Sequence, residues 1–182
     1  MLLFLLDKVK ENQKEFGEKV LHISSALQII PAWLMIIMYF ESRLNSKAKN
    51  SYTNAVGLIQ FIPPTAQALG TSTEALLNMS NVQQLDYVYL YLKKYKGKIN
   101  SLTDLYLCVF YPYAVGRPND YILGSQNGTA AKIAAQNPVF DLDKDGIIQK
   151  GDVVSYIDKF AKQIGYTGET EKKKNFSPTS FC

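Results

Sequence analysis

The stretch Pro31-Ala-Trp-Leu-Met-Ile-Ile-Met-Tyr-Phe-Glu41-Ser42 constrains this chain more than any other. Pro31 suits the first position of a helix, where its missing N–H costs nothing. A helix from there is apolar on every face as far as Phe40, so it belongs inside the protein. It is too short to span a bilayer. Its one carboxylate, Glu41, must reach a cleft or sit desolvated at a cost. Between Lys19 and Thr73 there is no other Asp or Glu, so no local carboxylate shares its work.

The 182 residues suit one domain with a core of its own, with 47% hydrophobic and 20% charged residues. The net charge of +4 fits an anionic polymer, bacterial wall or nucleic acid, and selects neither. Cys108 lies in an apolar run and reads as a buried free thiol, while Cys182 ends the chain. A disulfide between them is not expected, which favours a reducing site of synthesis. Met1 to Leu6 is apolar but lacks a preceding charge and a small-residue cleavage site. We read it as the first turns of a helix, not a signal peptide.

Helical spacing of Phe16, Val20, Ile23 and Leu27 predicts one or two helices between about Phe4 and Leu27. His22, the only histidine, has no Cys or second His near it and reads as structural or surface-exposed. Residues 43–57 read as a polar loop crossing the face above Glu41. Pro64 opens a short helix that Gly70 closes, and Ser80-x-x-Gln83 is a capping box for a helix striped with Val82, Leu85, Val88, Tyr89 and Leu92. Ser101 caps a helix from Leu102 to about Tyr111, stopped by Pro112. Thr129 to Gln136 forms another, and Val153, Ile157, Phe160 and Ile164 mark a last one stopped by Gly165. The expectation is a mainly α domain over residues 1–166, with 167–182 as a flexible tail.

Two constellations carry chemistry. In the first, Glu41-Ser42 is followed by Ala55-Val-Gly57-Leu-Ile-Gln60 and Pro63-Pro-Thr65-Ala66. This set resembles the soluble-type lytic transglycosylases, relatives of goose-type lysozyme, over roughly residues 20–125. Ile59 stands where the family usually has Met. The family's Tyr-Asn motif is matched at Tyr111-Pro112, with Pro in place of Asn. The resemblance implies a lysozyme-like helical fold and cleavage of the peptidoglycan MurNAc–GlcNAc β-1,4 bond by Glu41, with Tyr111 beside it. It implies substrate contacts from Ser42 and Gln60; Tyr52 and Phe61 could stack on sugar rings. It also implies a one-carboxylate route without cofactor, in which Glu41 protonates the leaving oxygen and then draws the proton from the sugar's own 6-hydroxyl. Cleavage needs an acid still protonated near neutrality, and an apolar setting raises a Glu toward that range. A hydrolase normally adds a second carboxylate, and the nearest downstream are Glu74 and Asp86. The competing reading pairs Glu41 with Arg43 or Lys47 at the helix end; Gln60 then becomes a surface loop residue and Tyr111 a core one. A muramidase, or a non-catalytic wall-binding virion component, are the alternative functions.

The second constellation is Asp141-x-Asp143-x-Asp145-Gly146-x-Ile148-x-x-x-Asp152. Oxygen ligands at positions 1, 3, 5 and 12, Gly at 6 and an aliphatic at 8 match a calcium loop, with Ile147 giving its carbonyl. Asp replaces the usual Glu at position 12, and Asn137-Pro138 leaves little entering helix, so this is half of an EF-hand. The competing reading is an Asp-rich turn capping the last helix. We expect a structural calcium, peptidoglycan strands as partner, a monomer, and neither nucleic acid nor stable membrane insertion. A phage enzyme made in the host cytoplasm and acting on the wall, as endolysin or carried on the virion, fits these expectations.

Overall fold

The computed structural model describes residues 3–168. Eight α-helices follow in order: α1 (Gln13–Leu27), α2 (Pro31–Ser42), α3 (Pro63–Ala68), α4 (Thr73–Asn78), α5 (Asn81–Leu92), α6 (Leu102–Phe110), α7 (Ala130–Gln136) and α8 (Lys150–Gln163). Among the described residues, β-structure is limited to isolated bridges. No single helix there is long and apolar enough to cross a membrane.

α2 is the axle of the fold. Pro31 occupies its first turn, and Leu34, Met35, Ile36, Ile37 and Met38 are all sealed from solvent. It packs against α1 on one side and α6 on another; α1 also packs on α5, and α6 on α8. The stripes read from the sequence are the faces that meet: Phe16, Val20, Ile23 and Leu27 from α1, and Val82, Leu85, Val88 and Leu92 from α5. Side-chain caps set the helix starts. Ser80 and Gln83 form the reciprocal box at α5, and Ser101 accepts the Asp104 N–H at α6.

Several expectations need correction. Residues from Leu3 onward do not begin an α-helix; they form a turn and a short 3-10 segment at Leu6–Lys8, ahead of α1. The polar loop over residues 43–57 is not wholly a surface feature, because Leu44, Ala55 and Val56 are buried. α4 was not foreseen; Ser72 caps it by accepting the Ala75 N–H at 3.0 Å, and six residues are too few to show a helical period. The expected flexible tail and Cys182 fall, from residue 169 on, outside the described residues. Cys108 is buried, and burial pushes its thiol up to about 12.

Candidate active site

α2 ends abruptly, and that ending sets up the site. Arg43 and Leu44 both adopt left-handed backbone, with φ of 56° and 60°. Their N–H groups turn back onto the Tyr39 and Met38 carbonyls, at 3.0 and 3.3 Å. Left-handed backbone on two non-glycine residues costs on the order of 1–2 kcal/mol each, which is tolerable here because Leu44 is buried by the turn. Glu41 therefore sits in the last turn of a hydrocarbon helix, half-buried. Burial raises its carboxyl from 4.5 to about 7. Neither suggested cation neutralises it. The Arg43 guanidinium donates to the Tyr39 carbonyl and lies over the Tyr39 and Phe160 rings, and Lys47 donates to the carbonyls of Leu77 and Met79. Among the described residues, Glu41 has no ion pair.

Three other carboxylates on neighbouring helices are placed as follows. Glu74 is exposed on α4. Asp86 faces outward from α5 and pairs with Lys19 at 2.7 Å. Asp104, on α6, is buried against Lys150 at 3.2 Å. The side chains around the end of α2 are aromatic. Phe40 meets Tyr106, Tyr156 and Phe160 edge-on, with centroids 5.2, 6.2 and 4.9 Å apart. Burial pushes the Tyr106 phenol well above its ordinary range, and the nearby Glu41 charge adds to the effect. The sequence reading missed Tyr106. Its only signal was its place on α6, four residues before Phe110 and so on one helix face with it.

Ser42 is buried and corrects an expectation. Its hydroxyl lies 2.9 Å from the Met38 carbonyl and 3.0 Å from the Leu58 carbonyl, so its single proton serves backbone and not sugar. It ties the end of α2 to the segment Gly57–Gln60. That segment is pinned from the other side by Gln84, which the sequence reading also missed. The fully buried Gln84 carboxamide accepts the Leu58 N–H at 3.0 Å and donates to the Ser46 and Leu76 carbonyls, each at 2.7 Å. Gly57 is required twice over: φ is +77°, and a Cβ would stand 2.4 Å from the Gln84 oxygen.

Gln60, half-buried with φ of 53°, donates one N–H to the Gly57 carbonyl at 3.1 Å. It lines a cleft of about 250 Å³ with Ile59, Phe61, Tyr91, Phe110 and Pro112, among others. Phe61 is a second correction: only 2% exposed and edge-on to Tyr91, it is the floor of that cleft, with no free face for a sugar. Tyr52 is 96% exposed at the tip of the preceding loop. Tyr111 ends α6, and its phenol oxygen accepts the N–H of Gly124 at 3.0 Å and one from the Gln126 side chain.

The sequence model of the transglycosylase SLT domain matches residues 20–134. The chain belongs to this family. Among curated proteins, none matches the sequence. The SLT match runs from within α1 to within α7, so it takes in Glu41, Gln60 and Tyr111 and leaves α8 outside. The mainly helical architecture is consistent with the lysozyme-like SLT fold, and family membership makes the chain a lytic transglycosylase, a glycosidic-bond-cleaving enzyme that acts on peptidoglycan.

Beyond the SLT match, Asp141, Asp143 and Asp145 bring one carboxylate oxygen each to within 4.8 Å of one another. Gly146 takes φ of +83° and donates its N–H to Asp141 at 3.2 Å. Ile148 is fully buried and Ile147 donates its N–H to Asp145 at 3.0 Å. Asp141 Oδ1 is buried without a hydrogen-bond partner. Asp152 stands outside the group of three, as the third residue of α8, and one of its oxygens accepts the Gln149 N–H at 2.8 Å.

Proposed function

We propose that this SLT domain cleaves the MurNAc–GlcNAc β-1,4 bond with Glu41 as its only acid and base, releasing 1,6-anhydromuramoyl ends. The observation that carries the reading is the isolation of Glu41: burial holds its proton to about pH 7, and among the described residues it pairs with no cation. The protonated carboxyl gives its proton to the bridging oxygen as the C1–O bond breaks. The 6-hydroxyl oxygen of the same sugar bonds to C1, and its proton passes to the Glu41 carboxylate. The acid is restored, and no water is consumed. The tethered hydroxyl has the effective-concentration advantage of an intramolecular nucleophile. Glu74 is exposed and Asp86 and Asp104 are paired with lysines, which supports this route over hydrolysis among the described residues. Gln60 and Tyr111 hold the sugar, from the cleft wall and the end of α6. Mass spectrometry of digested peptidoglycan tests the proposal. Anhydro ends, lost in Glu41→Gln, are expected; reducing muramic acid ends mean a muramidase, and no products mean a wall-binding domain.

The Asp141–Asp152 loop fits a structural calcium. Three converging carboxylates and the orphaned Asp141 oxygen support it. Asp141, Asp143, Asp145, the Ile147 carbonyl and Asp152 would hold the ion, which would supply charge neutralisation and no catalytic step.

A further inference from the structure

Tyr111 is held by an arrangement that gives its phenol one remaining task. A phenol oxygen has two lone pairs and one proton. Here the Gly124 N–H and the Gln126 side-chain N–H both donate to that oxygen. Its O–H is then left as a donor only, and accepting two hydrogen bonds polarises it for that purpose. The Gln126 carboxamide is itself oriented, because Tyr121 donates its O–H to Gln126 Oε1 at 2.7 Å.

The backbone under this relay is fixed at both ends. Leu123 donates its N–H to the Ile148 carbonyl at 2.9 Å, and Ile122 bridges Gln149. Gly124 takes φ of +83°, and a Cβ there would meet the Ala130 nitrogen at 2.7 Å. The Thr129 N–H returns to the Gly124 carbonyl at 3.0 Å. Gln126 itself is exposed on a short 3-10 turn, Ser125–Asn127, so no packing requirement accounts for its choice of partner. On either side of Tyr111 in sequence, Phe110 and Pro112 line the cleft that Gln60 also lines.

We infer that Gln126 is a positioning residue that makes Tyr111 a hydrogen-bond donor toward an oxygen of the bound glycan. The inference rests on the reading of Tyr111 as part of the active site. Replacing the donor N–H with an acceptor reverses the arrangement: in Gln126→Glu the carboxylate accepts a hydrogen bond from the phenol O–H and turns that O–H away from the substrate.

The experiment is a double-mutant cycle on the full chain, with rates of anhydromuropeptide release from purified peptidoglycan. Tyr111→Phe and Gln126→Glu are each expected to lower kcat by about tenfold or more, the scale of a misplaced group. Gln126→Ala should lower it less. Gln126→Glu should add less than twofold to the loss in Tyr111→Phe, because its target is gone. Circular dichroism melting should be unchanged, since Gln126 is exposed. A wild-type rate for Gln126→Glu, or losses that multiply in the double variant, overturns the inference while anhydro products still uphold the proposed reaction. A wild-type rate for Tyr111→Phe overturns it too. Loss of anhydro products from the wild type strikes the proposed reaction instead.

Discussion

Gln84 accepts the Leu58 N–H through its side-chain oxygen, and the same carboxamide donates to Ser46 and Leu76. One buried amide on α5 thus organises three chain segments around the turn that presents Gln60. Gln84→Leu leaves the Leu58 N–H and the Ser46 carbonyl without their partner, at roughly 1–3 kcal/mol each, and leaves the Leu76 carbonyl with the Met79 N–H alone. We expect a loss of stability of about 3 kcal/mol or more by urea denaturation. A loss below about 1 kcal/mol would mean that water replaces the carboxamide.

Burial of Glu41 sets a sign for the pH dependence of stability. Its folded-state pKa is raised from 4.5 to about 7, so the folded protein binds the proton more tightly than the unfolded chain. The contribution of the neutral carboxyl is complete below about pH 4.5 and is lost as pH rises through about 7, a change of about 3 kcal/mol. Glu41→Gln cannot ionise, so it should be more stable than wild type at pH 8 and show little difference at pH 4. Equal stabilities at pH 8 would mean the carboxylate is better solvated than its burial implies. Activity should fall on the alkaline side through about pH 7.

Asp104 and Lys150 join α6 to α8 with side chains only 8% and 10% exposed. Lys150 also donates to the Arg117 carbonyl at 2.8 Å, and Asp104 accepts the Asn100 N–H at 3.2 Å. Lys150→Met strands a buried carboxylate and should cost about 3–5 kcal/mol. Lys150→Met combined with Asp104→Leu should recover part of that loss in thermal melting. Failure to recover any would assign the effect to the Arg117 carbonyl.

For the Asp-rich loop, millimolar calcium should raise the melting temperature by mass action if the folded state alone binds it. Asp141→Ala with Asp143→Ala should remove the rise. A wild-type melting curve indifferent to calcium and to chelator leaves the loop as a cap for α8.

What was legible in the sequence follows from how local each signal is. The α2 hydrocarbon run, the Ser80 and Ser101 caps and the stripes of α1 and α5 are encoded within a few residues, and each is realised. Glu41 was legible because its isolation among apolar residues is itself a sequence property. Ser42 and Phe61 were misread, because whether a hydroxyl or ring faces a cleft or the core depends on what packs across it. Gln84 and Tyr106 were missed for the same reason: their partners, Ser46 and Leu58 or Glu41, lie tens of residues away. α4 was too short to declare itself.

α8 lies outside the region that defines the family, yet it walls the end of α2. Phe160 and Tyr156 pack edge-on against Phe40, and Tyr166 accepts the Trp33 indole N–H at 3.1 Å. The aromatic packing on Phe40, the residue before Glu41, is thus supplied partly from beyond the SLT match. A different C-terminal helix would repack Phe40 while leaving every residue of the matched region unchanged.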